Sequence, residues 1–405
     1  MKKLLIKVKQ HFQRYRREIN CFWKYALKAK FHIIPYRSKK VIMFRLDLIG
    51  DCTMFTSAAA AIREHYKDRE MTIVCLAVSR PVFERLGIFD RIITVPFKPE
   101  AINWNTVDNL IAEIQDEEYD ILLQPQLSKF AVADIMAAAC KCNKRISIEP
   151  LTPHGNSSPA WIKMTNFLYN KFIPYPRGVV SEFDYYGAFV RGLCDPNYKS
   201  TMPKLNYGEQ HFIDGDYYIL YPGGSLSQKF WPAERFAQIA EHIYEETGLL
   251  GVILGVASEQ WISDNLKRNL NTIVSLSIVD LTGRTSIDDV IDIIGNAKFV
   301  VTNDTSGVHI AAATNTPSVV NVGGWHFKRF LPYYIEDVKP GEYLPLVAYT
   351  EMPCYYCGWD WNVIIDRNPE CLAHLKAGEP SSCIPMVTYE QMRDLVDQVI
   401  KELEL

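Results

Sequence analysis

Residues 299–313 read Phe299-Val-Val-Thr-Asn-Asp-Thr-Ser-Gly-Val-His-Ile-Ala-Ala-Ala313. The run Phe299–Thr302 has the length and apolar character of a strand buried on both faces. A polar turn follows, and the spacing then predicts a helix over Ser306–Thr314. The small residues Ala311–Ala313 suit close packing of that helix on a sheet. A loop between a buried strand and a helix is where an open parallel sheet binds ligands.

The same alternation extends in both directions. Strands are predicted at Tyr217–Tyr221, Leu250–Leu254, Thr272–Ser275 and Ser318–Val322. Helices are predicted at Ala233–Glu246, Ser258–Asn269 and Ile287–Asn296. Upstream, apolar runs at Val41–Leu46, Met71–Val78, Ile92–Phe97, Asp120–Leu123 and Arg145–Ile148 alternate with helical stretches at Thr53–Tyr66, Pro81–Leu86, Thr106–Gln115 and Ala131–Cys140. Such β-α-β order implies a parallel sheet covered on both faces, twice over. Prolines at 150, 153, 159, 174, 176, 196 and 203 break the rhythm between, with helices near 160–170 and 181–193 and a linker near 195–212. Residues 325–385 read as irregular, and a helix over Tyr389–Leu403 closes the chain, with the first domain as a surface to pack back on. The predicted segments are 1–40, basic and helical; 41–205 and 206–325, two doubly wound Rossmann-like domains; and 326–405, cysteine-rich with the closing helix. Two such domains are expected to face a central cleft lined by the carboxyl ends of their strands.

Residues 1–40 carry thirteen Lys and Arg against Glu18 alone, a net +12, whereas the other 365 residues carry −15. Leu5, Val8, Phe12, Tyr15, Ile19, Phe22 and Ala26 fall on one helical stripe among these charges. That pattern suits an anionic membrane surface, and equally packing on the protein's own domain or on a second subunit. The acidic body and the lack of a recognition motif argue against nucleic acid. No run of 18 apolar residues is present, so no membrane span is expected. No secretory signal is read, and six of the ten cysteines sit among apolar segments, which points to a reducing, cytoplasmic setting, peripheral to the membrane's inner face if the helix binds lipid.

Three loops carry candidate chemistry. Gly50-Asp51 follows the first strand; Asp51 is either an N-cap or a general base. Tyr221-Pro-Gly-Gly-Ser-Leu-Ser-Gln-Lys-Phe-Trp-Pro232 offers Gly223 and Gly224 for close backbone approach, Ser225 and Ser227 as hydroxyl donors, and Lys229 as a point charge for a phosphate. Its spacing is not that of a P-loop. In the third loop Asp304, Thr305, Ser306 and Gly307 open a helix whose amides suit a diphosphate, with His309 in its first turn able to point at the same anion or to lie as a satisfied buried histidine.

These loops, with Leu281-Thr282-Gly283-Arg284, together resemble glycosyltransferase family 9, the ADP-heptose heptosyltransferases of lipopolysaccharide core assembly, in order over roughly residues 41–325. The resemblance implies the GT-B fold, with 41–205 as the acceptor domain and 206–325 as the nucleotide-sugar donor domain, and an inverting, metal-independent transfer of heptose from an ADP-heptose donor to a lipopolysaccharide-core-type acceptor. It implies Asp51 as the base, Lys229 as the balance for charge on the leaving diphosphate, Asp304, Thr305 and His309 as donor contacts, and Glu259 as the ribose-binding acid. The chain departs from the family with Ser57 where many relatives have proline, and with glycine displaced in Asp304-Thr305-Ser306-Gly307.

Cys354, Cys357, Cys371 and Cys383 have the spacing of a four-thiolate site for structural zinc or iron, or are unliganded thiols. They resemble the iron-binding cysteine finger of autotransporter heptosyltransferases, which implies a protein acceptor as an alternative. A third reading is an inactive GT-B scaffold that binds a nucleotide or a partner. The sequence leaves the oligomeric state open.

Overall fold

The computed structural model describes all residues except 1, 32–37, 97–103, 151–157, 179–180, 227–228, 326 and 357–382; within the N-terminal helix it describes side chains for residues 13–29 only. The chain divides into two compact units: Met1–Leu48, Ala59–Tyr175 and Ala188–Tyr198 form the first, and Ile49–Ala58, Pro176–Gly187 and Lys199–Leu405 the second.

The first unit is built on a parallel sheet of six strands, β1 (Lys40–Arg45), β2 (Glu70–Leu76), β3 (Arg91–Val95), β4 (Glu118–Gln124), β5 (Lys141–Ile148) and β6 (Lys171–Ile173), in the order 3-2-1-4-5-6. Both faces are covered, so strands such as β1 and β2 are buried almost throughout and read as unbroken apolar runs. Phe44, Val74, Tyr119, Leu122 and Trp161 lie in its core. The buried carboxylate of Asp134 accepts hydrogen bonds from Trp161 Nε1 (2.8 Å), Tyr169 Oη (2.8 Å) and Thr165 Oγ1 (3.2 Å). Three donors offset what desolvating that carboxylate would otherwise cost.

The N-terminal helix spans Lys2–Phe31. Its described stripe is used in packing: Phe22, Ala26 and Ala29 are buried in the core of the first unit, with Tyr15 and Ile19 packed against it. Phe22 meets Trp161 and Phe167 edge-on at 5.6 and 6.0 Å. Arg145, itself buried, donates to the carbonyls of Ala29 (3.5 Å), Ala137 (3.0 Å), Cys140 (2.7 Å) and Cys142 (3.4 Å), tying two helix ends together. The side chains of Leu5, Val8 and Phe12 lie outside the described residues.

The second unit repeats the plan with β7 (Tyr217–Tyr221), β8 (Leu250–Ile253), β9 (Ile278–Asp280), β10 (Val300–Asn303), β11 (Ser318–Asn321) and β12 (Leu346–Ala348), all parallel, in the order 12-11-10-7-8-9. The chain order reverses between β7 and β10, which places a switch point at their carboxyl ends.

Three expectations need correction. Thr272–Ser275 is not a strand: residues Thr272–Leu276 form a helical turn because the Asn271 side chain accepts from Val274 N at 3.0 Å, and the strand follows at Ile278–Asp280. Segments read as irregular supply the edge strands β6 and β12, each of three residues. The closing helix, Tyr389–Glu402, belongs to the second unit, where it packs on the helix Ala233–Thr247 and on β11 and β12.

Candidate functional site

The site begins at the switch point of the second sheet. Asn303, the last residue of β10, is fully buried, and its side chain pins both ends of the loop after β7. Its Nδ2 donates to the carbonyls of Pro222 (2.5 Å) and Gly223 (3.4 Å), and its Oδ1 accepts from Trp231 N (3.1 Å). Trp231 Nε1 in turn donates to the Val387 carbonyl (2.8 Å). Asn303 was legible only as a member of the loop motif; a polar residue ending a buried apolar run is the one local signal of its role.

Glu259 sits against the same loop. Its Oε1 accepts from Gly224 N (2.7 Å) and its Oε2 from Val256 N (2.9 Å). A Cβ on Gly223 would lie 2.3 Å from Glu259 Oε2, so only glycine lets this carboxylate pack on the loop. Glu259 therefore shapes the glycine loop. Ser225 is exposed beside it, and Ser227 lies outside the described residues.

Lys229 closes the loop over β10. Its Nζ lies 2.8 Å from Asp304 Oδ2 and donates to the Asp304 carbonyl at 3.3 Å. Asp304 is buried and Lys229 largely so. Thr305 is extended and makes no side-chain cap, leaving the helix Ser306–Ala313 to begin without one. Ser306 hydrogen-bonds the Tyr221 phenol, whose pKa burial pushes up to about 12. Gly307 is buried against the Tyr221 ring.

His309 is buried and does not aim Nδ1 at open space: that nitrogen lies 2.8 Å from the Tyr333 hydroxyl, and the two rings are parallel within 5°. Burial, with Lys229 adding to it and Asp304 opposing, lowers the His309 pKa to about 4, so the ring is neutral at physiological pH. The opposite edge of the ring meets the helix Ile49–Met54. A Cβ on Gly50 would lie 2.8 Å from His309 Cδ2, so glycine permits the approach. Asp51 is half-buried in the first turn of that helix, and Tyr186 Oη donates to its main-chain carbonyl at 3.3 Å.

Behind Asp51 lies a buried ion pair absent from the sequence reading. Arg329 holds Glu182 Oε1 through Nε (2.6 Å) and Nη2 (2.5 Å), while Glu182 N donates to the Arg329 carbonyl (2.8 Å). Glu182 first, and Asp51 further down, stabilise the charged guanidinium against its burial. Phe183 packs edge-on against Tyr333 at 4.7 Å, joining this pair to the histidine.

Of the four clustered cysteines, Cys357 and Cys371 lie outside the described residues. Cys354 is half-buried and Cys383 buried. Cys383 Sγ accepts from Gly324 N at 3.3 Å. Among the described residues, no group of three or more His, Cys, Asp or Glu side chains is placed to hold a metal. No helix among them is long and apolar enough to cross a membrane.

Residues 182–333, which run from Glu182 of the ion pair to Tyr333, match the sequence model of glycosyltransferase family 9 (heptosyltransferase). The chain is 22% identical over 288 residues to lipooligosaccharide heptosyltransferase 2 of Haemophilus ducreyi, covering 69% of this chain and 81% of that one. In three dimensions it is similar to the ADP-heptose lps heptosyltransferase II of E. coli, with a TM-score of 0.63 at 16% identity over 90% of this chain and 100% of that one. It is also similar to the iron-containing dodecameric glycosyltransferase TibC of enterotoxigenic E. coli, with a TM-score of 0.54 at 13% identity over 92% and 78%. The fold is GT-B.

Proposed function

We propose that this chain, a glycosyltransferase with a family 9 (heptosyltransferase) domain over residues 182–333, transfers a heptose from an ADP-heptose donor to a lipopolysaccharide-core-type acceptor with inversion. The observation that carries the reading is the convergence on the helix Ser306–Ala313 of the glycine loop with its Lys229–Asp304 pair and of the helix that bears Asp51. The relatives named above supply the sugar and the acceptor class.

In this reading the Asp51 carboxylate takes the proton from the acceptor hydroxyl as its oxygen attacks the anomeric carbon. The bond from that carbon to the diphosphate oxygen breaks, and ADP leaves with the electron pair. Negative charge grows on the diphosphate, where Lys229 and the amides opening the helix at Ser306 stabilise it without rearranging. Asp304 positions the ammonium. Thr305, Ser306, Gly307 and Ser225 supply amides and hydroxyls to the donor phosphates and sugar. Glu259 exchanges a backbone amide for a ribose hydroxyl. His309, neutral and fixed by Tyr333, donates or accepts a hydrogen bond without adding charge.

A second reading is favoured by the cysteine run: a protein O-heptosyltransferase with a structural iron or zinc. The amide of Gly324 donates to Cys383 Sγ at 3.3 Å, which seats one of the four sulfurs against the backbone of the glycine pair at 323–324. Cys354 and Cys383, with Cys357 and Cys371, would hold the metal, and its contribution would be to brace the loop.

The experiment is transfer from ADP-heptose by the purified chain to a heptose-deficient lipid-linked core and, separately, to an unglycosylated autotransporter passenger. Product on the lipid supports the first reading. Product on the protein alone replaces it with the second, and tight nucleotide binding with neither product leaves a binding scaffold.

A further inference from the structure

We infer that the outward face of the N-terminal helix is a docking surface for an anionic lipid bilayer. The packing described above uses one side of the helix, where Tyr15, Ile19, Phe22, Ala26 and Ala29 lie on the first unit. The other side is exposed and holds Arg16, Arg17, Trp23, Lys24, Leu27 and Lys28. Glu18 is the one acid between residues 13 and 29, and Arg14 takes it up at 2.8 Å. Asp108 lies within electrostatic reach of Lys24. The face as a whole is therefore cationic.

Two large apolar side chains stand in this charge. Trp23 is 38% exposed and Leu27 57%, one helical turn apart, so they form a short ridge flanked by Arg16, Lys24 and Lys28. The Trp23 indole is stacked on Phe167 with ring centres 5.3 Å apart and planes within 12°, which fixes it at the surface. Arg17 lies over the Trp104 ring at 4.9 Å, its charge held at the rim of the same face. An indole and a leucine ringed by Lys and Arg match the interfacial zone of a membrane, where apolar groups enter the headgroup boundary and cations meet anionic phosphates. A second copy presenting the same face would set like charges opposite one another. The inference concerns location alone and stands or falls apart from the heptose reading, because it is tested without donor or acceptor.

The full chain is sedimented with vesicles of phosphatidylcholine and with vesicles of equal parts phosphatidylcholine and phosphatidylglycerol. Binding to the anionic vesicles should be stronger by about tenfold or more, since each Lys or Arg near the surface contributes separately. Arg16→Glu with Lys24→Glu and Lys28→Glu should abolish the preference at an unchanged melting temperature. Leu27→Asp, at a position 57% exposed, should weaken binding by itself. Equal sedimentation with both vesicle types, or full anionic binding by the triple variant, would overturn the proposal. So would self-association lost in Leu27→Asp with no vesicle binding at all, which would assign the face to a second copy.

Discussion

The Tyr333 hydroxyl lies 2.8 Å from His309 Nδ1, with the two rings parallel, and the far edge of the imidazole abuts Gly50, next to Asp51. The hydrogen bond holds the imidazole in orientation, with its Cδ2–Nε2 edge toward Gly50. Tyr333→Phe keeps the ring packing and removes only the hydroxyl. It should cost about 1–3 kcal/mol, because a buried ring nitrogen loses its partner. Chemical denaturation measures the loss; a variant as stable as the parent would mean that the hydroxyl does not fix the ring.

The neutral His309 gives a signed pH dependence. Its pKa falls from 6.5 to about 4 on folding, so between these values the unfolded chain binds the proton more tightly than the folded one. This residue's contribution to stability is therefore complete above about pH 6.5 and is lost as pH falls toward 4. The loss at the lower limit is on the order of 3 kcal/mol. His309→Gln should flatten that part of the stability curve, measured by denaturation from pH 7 to pH 4. An unaltered slope would assign the acid sensitivity to other groups.

Much of the site was readable because it is local. Strand, polar turn and helix follow one another at Phe299–Ala313, and the glycines at 50 and 223 stand out in their own loops, although the side chains that meet them, His309 and Glu259, lie elsewhere in the chain. What was not readable is non-local. Glu182 and Arg329 are 147 residues apart, and neither position carries a periodic signal of its own. The edge strands β6 and β12 are too short, and too little buried, to stand out as apolar runs. At Thr272–Ser275 a β-branched run suggested a strand, and a single Asn271 cap turned it into a helix.

Gly50→Ala tests the contact beneath Asp51. The added methyl would meet His309 Cδ2 at 2.8 Å, a distance that forces either the helix Ile49–Met54 or the imidazole to move. Overpacking of this kind costs about 1–3 kcal/mol. If Asp51 is the base, turnover should fall further than stability explains, since small displacements of a reacting group are expensive. Steady-state kinetics on folded variant distinguish the two; unchanged kcat would separate Asp51 from the chemistry.

Lys229→Ala should lower kcat by about 10²–10³-fold, the range for removing one preorganised donor to a developing anion. ADP affinity should fall less, because the charge the lysine meets is largest in the transition state. Its 2.8 Å bond to Asp304 means the variant also leaves a buried carboxylate without its cation, so Asp304→Asn in the same background should recover stability but not turnover. Recovery of turnover in the double variant would show that the lysine serves only to neutralise Asp304.

Arg329 and Glu182 form a pair buried on both sides, 10% and 4% exposed. Removing one partner strands a charge, so Arg329→Ala should destabilise by about 3–5 kcal/mol. Replacing both with methionine restores an uncharged interior of similar bulk and should recover most of that stability. The two effects separate structure from electrostatics, because Arg329 also bears on Asp51. If Asp51 is the base, the double variant should turn over more slowly than its stability explains, because the cation that bears on Asp51 is gone. A kcat equal to the parent's would mean that the pair is a fold element alone.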